Sequence, residues 1–266
     1  MHPIERLRYV ARASGADQDV LVRESAGALA ALGFDPAGLV TACRRIVDRH
    51  PTSGALWWLC ARVLTATDPT REGWRAAEEI EADGTAGSLG AALPDDATVV
   101  VVGWPELAGD ALLRRGDATV LAVDGQGAAS GFVRRLHRAD VEAVEIRSSG
   151  TASAVLAAQV VLVEAVAAGP SGMVAAAGSY AAAAVARHAG VPVWGVVGIG
   201  RLLPRRMWEA LLERLDADDP WDADVEFVPI ELLDALAGPA GVESVEDGLR
   251  RVSAPVAPEL FRTTAF

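Results

Sequence analysis

Four short stretches of this chain carry side chains suited to catalysis or to binding an anion. The first is Asp124-Gly125-Gln126-Gly127, between an apolar run and Ser130-Gly131. Strand, GxGxxxG and helix is the layout of a dinucleotide loop, and Glu145 stands at a distance that suits a ribose contact. Free amides at a helix start equally suit a phosphate or sugar phosphate, and a tight turn would use the same glycines. The second stretch is Arg147-Ser148-Ser149, a guanidinium beside two hydroxyls at a helix start. It reads as a phosphate cradle or as a Ser/Thr cap with a surface Arg. The third joins Glu164 to Gly178, Ser179 and Tyr180. A carboxylate there would serve as a general base, or it would cap and pair at the edge of a sheet. The fourth, Gly195 to Arg201, lacks the dinucleotide spacing and offers Arg201 as one anion contact.

The elements that hold these stretches alternate. Thr98–Val102, Thr119–Val123, Glu142–Ile146 and Val160–Val163 read as strands; Glu106–Arg114, Ser130–Ala139 and Thr151–Ala158 read as helices. A Gly-Pro-Ser-Gly turn at 169–172 follows, then a small-residue helix from about Ala175 to His188. Gly190 closes that helix, Pro192 forbids its continuation, and the next strand starts at Val193. Val225–Pro229 is a further strand, followed by Glu231 to Ala237. This order predicts an α/β fold with a doubly wound, mainly parallel, Rossmann-like sheet and right-handed crossovers. Ligands of such a sheet bind outside the carboxyl ends of its strands.

Before that region the signal is helical. Pro3-Ile4 opens a first helix, 17–32 forms a second, and Asp35-Pro36 has the form of a cap with Pro at the first helical position. A fourth helix follows Pro51, with Thr52 as its cap and with Leu56, Leu59, Cys60 and Val63 on one face. Trp57 and Trp58 read as packing between lobes. The domain expectation is a helical lobe over 1–68, a connecting segment over 69–96 with a helix from Glu72 to Ala82, and the α/β lobe over 97–266.

Composition narrows the function classes. All 24 basic residues are Arg, so the lysine of a Walker-A loop, of a pyridoxal Schiff base or of a Schiff-base aldolase is missing. A net charge of −12 argues against binding nucleic acid through its phosphates. Gln159 and Glu164 break the longest apolar window, so no membrane span is expected. The first residues lack the apolar run of a secretory signal. Cys43 and Cys60 give neither metal spacing nor a disulfide framework, and the scattered histidines form no metal set. The expectation is a cytoplasmic protein with no metal and no cofactor.

One resemblance adds to this. An apolar strand, a turn of small residues, Gly178-Ser179-Tyr180, an Ala-rich helix and Arg187-His188-x-Gly190-Val191-Pro192 together resemble the core of one known family. It holds the regulatory subunits of initiation factor 2B and the methylthioribose-1-phosphate and ribose-1,5-bisphosphate isomerases. Where that family reads VGADR, this chain reads Val163-Glu164-Ala165-Val166-Ala167. Where it reads NKIGTY, this chain reads Ala175 to Tyr180. His50-Pro51-Thr52-Ser53-Gly54-Ala55-Leu56-Trp57-Trp58 resembles the RPTAVNLxWA segment of the isomerase branch, and Leu215 to Trp221 resembles an acidic stretch of the initiation-factor branch. The isomerases' functional Asp falls on Val166, and their His-Cys-Asn segment falls near Gly103-Trp104-Pro105.

The resemblance therefore implies the family scaffold without the family's acid and base. Three functional readings follow. The first is a protein without isomerase chemistry that binds a phosphorylated sugar or nucleotide, or a protein partner, and forms a homodimer through its C-terminal lobe. Its binding residues would be Gly125, Gln126, Gly127, Arg147, Ser148, Ser149, Gly178, Ser179, Tyr180 and Arg201. The second is a divergent aldose–ketose isomerase acting on a phosphorylated pentose, with Glu164 and Asp124 as substitute acid and base. The third is a nicotinamide-dependent reductase built on the Asp124 loop.

Overall fold

The structure is a computed structural model that describes residues 18–32, 35–215 and 220–261. The expected helix at Pro3-Ile4 lies outside these residues. Helices α1 (Gln18–Ala30), α2 (Pro36–Arg49), α3 (Gly54–Thr65) and α4 (Pro69–Glu81) form the helical part. Their starts are set by local chemistry. Asp35 accepts from the Gly38 amide at 3.0 Å and Asp68 from the Arg71 amide at 3.0 Å, each followed by Pro at the first helical position. The cap of α3 is Ser53 rather than the expected Thr52, because its hydroxyl is the one that reaches the Leu56 amide. Helix α3 is buried almost all round, and its Leu56, Leu59, Cys60 and Val63 join Val22, Leu29 and Ile46 in one core. Ala76 and Ala77 of α4 enter the same core, so this helix starts at Pro69 and packs with the first three. Trp57 and Trp58 are fully buried there, and a Cβ at Gly200 would fall 3.1 Å from the Trp58 ring.

The remaining chain runs α5 (Thr85–Ala92), β1 (Thr98–Val102), α6 (Leu107–Arg115), β2 (Thr119–Asp124), α7 (Ala129–His137), β3 (Ala143–Arg147) and α8 (Thr151–Ala157). There follow β4 (Val160–Gly169), β5 (Gly172–Ala176), α9 (Ser179–Ala189), β6 (Val193–Val196) and α10 (Arg205–Leu212). The last elements are β7 (Val225–Pro229), β8 (Ala235–Gly238), β9 (Gly241–Ser244) and α11 (Val245–Leu249). The sheet order is β3-β2-β1-β4-β6-β8-β9, parallel except for β9. Both faces are covered. Val99 and Val101 pack with Leu89, Leu112 and Phe132 on one side, Val100 and Val102 with Val155, Ala182 and Ala186 on the other. That is the doubly wound α/β arrangement that the alternating units predict.

One expectation is corrected. Gly172 to Ala176 is a strand, not a turn leading into a helix at Ala175. After Glu164, β4 leaves the parallel sheet through a bulge between Ala165 and Ala167 and pairs antiparallel with β5, which pairs with β7. Pairing on both edges overrides the helix preference of an Ala-rich segment, and Gly178, at φ 99°, resets the chain for α9. The stretch from Glu231 also holds a strand: β8 pairs in parallel with β6 and extends the sheet.

The order reverses between β1 and β4, and this switch point is where an open α/β sheet forms a crevice. Only Val99↔Val160 and Val100↔Val161 are paired between these strands. Beyond them the two strands part, and the gap opens toward the helical part.

Candidate functional site

Two hollows occupy this gap. The inner one, about 140 Å³, is lined by Val102, Trp104, Glu164, Val166, Ser179 and Asp224, among others. The outer one, about 220 Å³, reaches Asp83, Asp110, Arg114 and Arg135. Gln18, Trp104, Glu106 and Arg201 line both. A wider open groove of about 890 Å³ runs over α3 and α4, but its Arg62 is already bound by Glu72 and Glu79. The switch-point hollows, where buried charges converge from three strands, are the better site.

Arg201 is the centre of the cluster. Its side chain is 6% exposed, and its guanidinium donates to Glu164 at 2.8 Å, to the Ala165 carbonyl at 2.8 Å and to Glu106 at 2.8 Å. Burial works against the charge, but Glu164 and then Glu106 outweigh it and hold the Arg201 pKa above its ordinary value. Arg201 is thus saturated by the protein's own carboxylates.

Glu164 is equally engaged. One oxygen accepts from the Glu106 amide at 3.0 Å and the other from the Ala108 amide at 2.8 Å, so the carboxylate caps the start of α6. The same device recurs along the carboxyl edge of the sheet. Asp124 accepts from the Gly127 amide at 2.8 Å and the Ala129 amide at 3.3 Å at the start of α7. Glu226 accepts from the Gly178 and Tyr180 amides at 2.8 and 2.7 Å at the start of α9. Asp83 does so for Thr85 at the start of α5 and reaches across to the Ile199 amide at 2.8 Å. Helix starts are the natural seats for phosphate, and here four of them hold internal anions.

Of the residues picked from the sequence, the structure brings Glu164, Ser179 and Arg201 together around the inner hollow. Gly125 lies beside the strand that feeds α9; a Cβ there would fall 2.3 Å from the Ala177 carbonyl oxygen, so the close approach requires glycine. Gln126 donates to the Ala223 carbonyl at 3.1 Å, and Gly127, at φ 80°, completes the Asp124 turn. Gly178 starts α9 and Tyr180 is 46% exposed beside it. Arg147, Ser148 and Ser149 are exposed at the end of edge strand β3 and line neither hollow. Among the described residues no group of three or more His, Cys, Asp and Glu is placed to hold a metal, and no helix is long and apolar enough to cross a membrane.

Sequence reasoning missed Trp104, Glu106, Gln18 and Asp224. Trp104 is 46% exposed and faces both hollows; its ring lies on Gly131, where a Cβ would fall 2.8 Å away, and its centroid is 6.2 Å from that of Phe132. Glu106, directly after Trp104-Pro105, accepts the Gln18 amide at 3.3 Å as well as Arg201, tying α1 to the sheet. A carboxylate next to Pro at a helix start was the available signal for Glu106.

No sequence-family model matches the chain, and no curated relative matches it. Solved structures do. The translation initiation factor eIF-2B of Pyrococcus horikoshii OT3 matches with a TM-score of 0.76 at 12% identity, over 93% of this chain and 98% of that one. A chain of the tetrameric eIF2B-beta2-delta2 complex of C. thermophilum matches with a TM-score of 0.77 at 15% identity, over 93% and 92%. The eIF2B beta of Chaetomium thermophilum matches with a TM-score of 0.70 at 16% identity, over 91% and 86%. These similarities span at least 91% of this chain and show its fold: it has the eIF2B-type fold, a helical region followed by a mostly parallel α/β sheet.

Proposed function

We propose that this chain is an eIF2B-like protein without aldose–ketose isomerase chemistry, which works by binding through its switch-point cleft and by pairing with a second copy. The observation that carries the reading is the state of Glu164. Its two oxygens are held by two amides and Arg201, which leaves no free base at the centre of the cleft. The positions that the resemblance gives to the isomerases' Asp and Cys segment hold Val166 and Trp104, both lining the inner hollow. The chain's two cysteines lie in the helical core, where burial pushes the Cys60 thiol well up. An acid and a base would each contribute ~10²–10⁴ to such a proton transfer.

The test is proton exchange at C2 of a phosphorylated pentose in deuterium oxide, followed by NMR. The expected result is exchange no faster than in buffer. Exchange that depends on protein and disappears in Glu164→Gln would overturn the reading in favour of a divergent isomerase.

A phosphorylated sugar or nucleotide would find the starts of α6, α7 and α9 already occupied by Glu164, Asp124 and Glu226. Protein association has firmer support. Among the described strands β7 pairs with β5 alone, and it carries Phe227, 37% exposed, with Trp221, 77% exposed, in the segment before it. An open edge beside large apolar side chains is a template for pairing. Sedimentation velocity should give a dimer, and Trp221→Ser with Phe227→Glu should give a monomer of unchanged helix content. A monomeric parent protein would sink the pairing.

A further inference from the structure

We infer that the cleft takes a small organic cation, an amine or guanidinium, in the inner hollow against the face of Trp104. This deepens the reading of the cleft as a binding pocket and rests on it. Three independent observations point to such an occupant.

The first is charge. Among the described residues seven carboxylates and three guanidiniums line the two hollows. Arg201 pairs with Glu106 and Glu164, Arg135 with Asp110 at 2.7 Å and Arg23 with Glu81, which leaves Asp19, Asp83 and Asp224 against Arg114 outside ion pairs among the described residues. A cleft with low-dielectric walls and an excess of one sign concentrates the opposite sign. Asp224, on the rim of the inner hollow, has no partner for its carboxylate among the described residues.

The second is an unpaired buried hydroxyl. Ser179 is 2% exposed and lines the inner hollow, yet its Oγ makes no hydrogen bond among the described residues. Buried polar groups are normally paired. A hydroxyl left open toward a cavity, in a wall of carboxylates, is an acceptor for an N–H donor.

The third is the indole. Trp104 is half exposed, lines both hollows and is backed by Gly131 and Phe132, so its ring is held at their wall. A cation on such a face gains from the ring quadrupole as well as from the carboxylates. Phosphate gains from neither: its usual seats here are occupied by the chain's own anions. About 140 Å³ is roughly the share of five liquid waters, room for a guanidinium or amine on a short stem.

The experiment is calorimetric titration and thermal shift of the full chain with agmatine, putrescine, ribose and ribose 5-phosphate at low ionic strength. Agmatine or putrescine should raise the melting point and bind with an affinity that falls with salt. Trp104→Ala should weaken agmatine about tenfold, and Ser179→Ala or Asp224→Asn by several-fold, with the unliganded melting point of Trp104→Ala close to the parent's. Absence of binding by both amines at millimolar concentration overturns the inference. So does agmatine binding that is indifferent to Trp104→Ala and Asp224→Asn, or a stronger shift with ribose 5-phosphate than with agmatine. None of these outcomes touches the absence of isomerase chemistry, which deuterium exchange reads separately.

Discussion

Arg201→Met should lower the melting point of this protein by about 6–20 °C. The guanidinium offsets two carboxylates in a place where Glu164 is 9% and Arg201 6% exposed. Taking away one partner of a buried ionic cluster leaves uncompensated charge and costs about 3–5 kcal/mol, and in a chain of this size each kcal/mol corresponds to about 2–4 °C. Three acceptors each lose one donor at once: Glu164, Glu106 and the Ala165 carbonyl. The loss is specific in kind. Glu106→Gln in the Arg201→Met background removes one of the two carboxylates that lose this guanidinium and should recover part of the stability, whereas Glu106→Gln alone should destabilise. Denaturant unfolding of the four proteins gives the coupling directly. Equal midpoints for Arg201→Met and the parent would mean that the cluster is wet and its charges screened.

The second large effect is at Trp208. Its indole lies over the tip of the β4–β5 hairpin, with Gly169 so close that a Cβ there would fall 2.2 Å from the ring, and its Nε1 donates to Ser171 Oγ at 2.8 Å. Trp208 is 1% exposed and belongs to the core shared by the hairpin and the helical part, with Ala167, Val174, Met207 and Leu211. Trp208→Ala should cost about 3–5 kcal/mol, because the hairpin turn cannot collapse into the space. Trp208→Phe keeps most of the apolar volume and should cost markedly less, with the lost bond to Ser171 worth about 1 kcal/mol. Chemical denaturation measures both. If Trp208→Ala costs less than Trp208→Phe, the indole is not what anchors the hairpin.

The sequence made the scaffold legible where the signal is local. Val99 to Val102 form an unbroken apolar run because both faces of β1 are covered, and Asp35-Pro36 announces a helix start because cap and proline act within one turn. Strand β5 was hidden for the opposite reason. Met173-Val174-Ala175-Ala176 has no strand-like alternation, and its conformation is set by β4 and β7, the second of which lies some fifty residues later. The cleft was legible only in part. Glu164, Ser179 and Arg201 could be picked as polar groups at strand ends and helix starts. That Arg201 would be spent on Glu106, 95 positions away, is a tertiary fact with no periodicity to betray it. Asp124 was different, since a carboxylate that accepts the amide three residues on, as Asp124 does from Gly127, is a local turn signal in its own right.

The carboxylates seated on the helix starts also bear on what single substitutions can do at this edge. Exchanging any one of Glu164, Asp124 or Glu226 for a neutral residue bares one set of amides while its neighbours still repel an incoming oxyanion. Single exchanges at this edge therefore leave the other helix starts closed to an oxyanion.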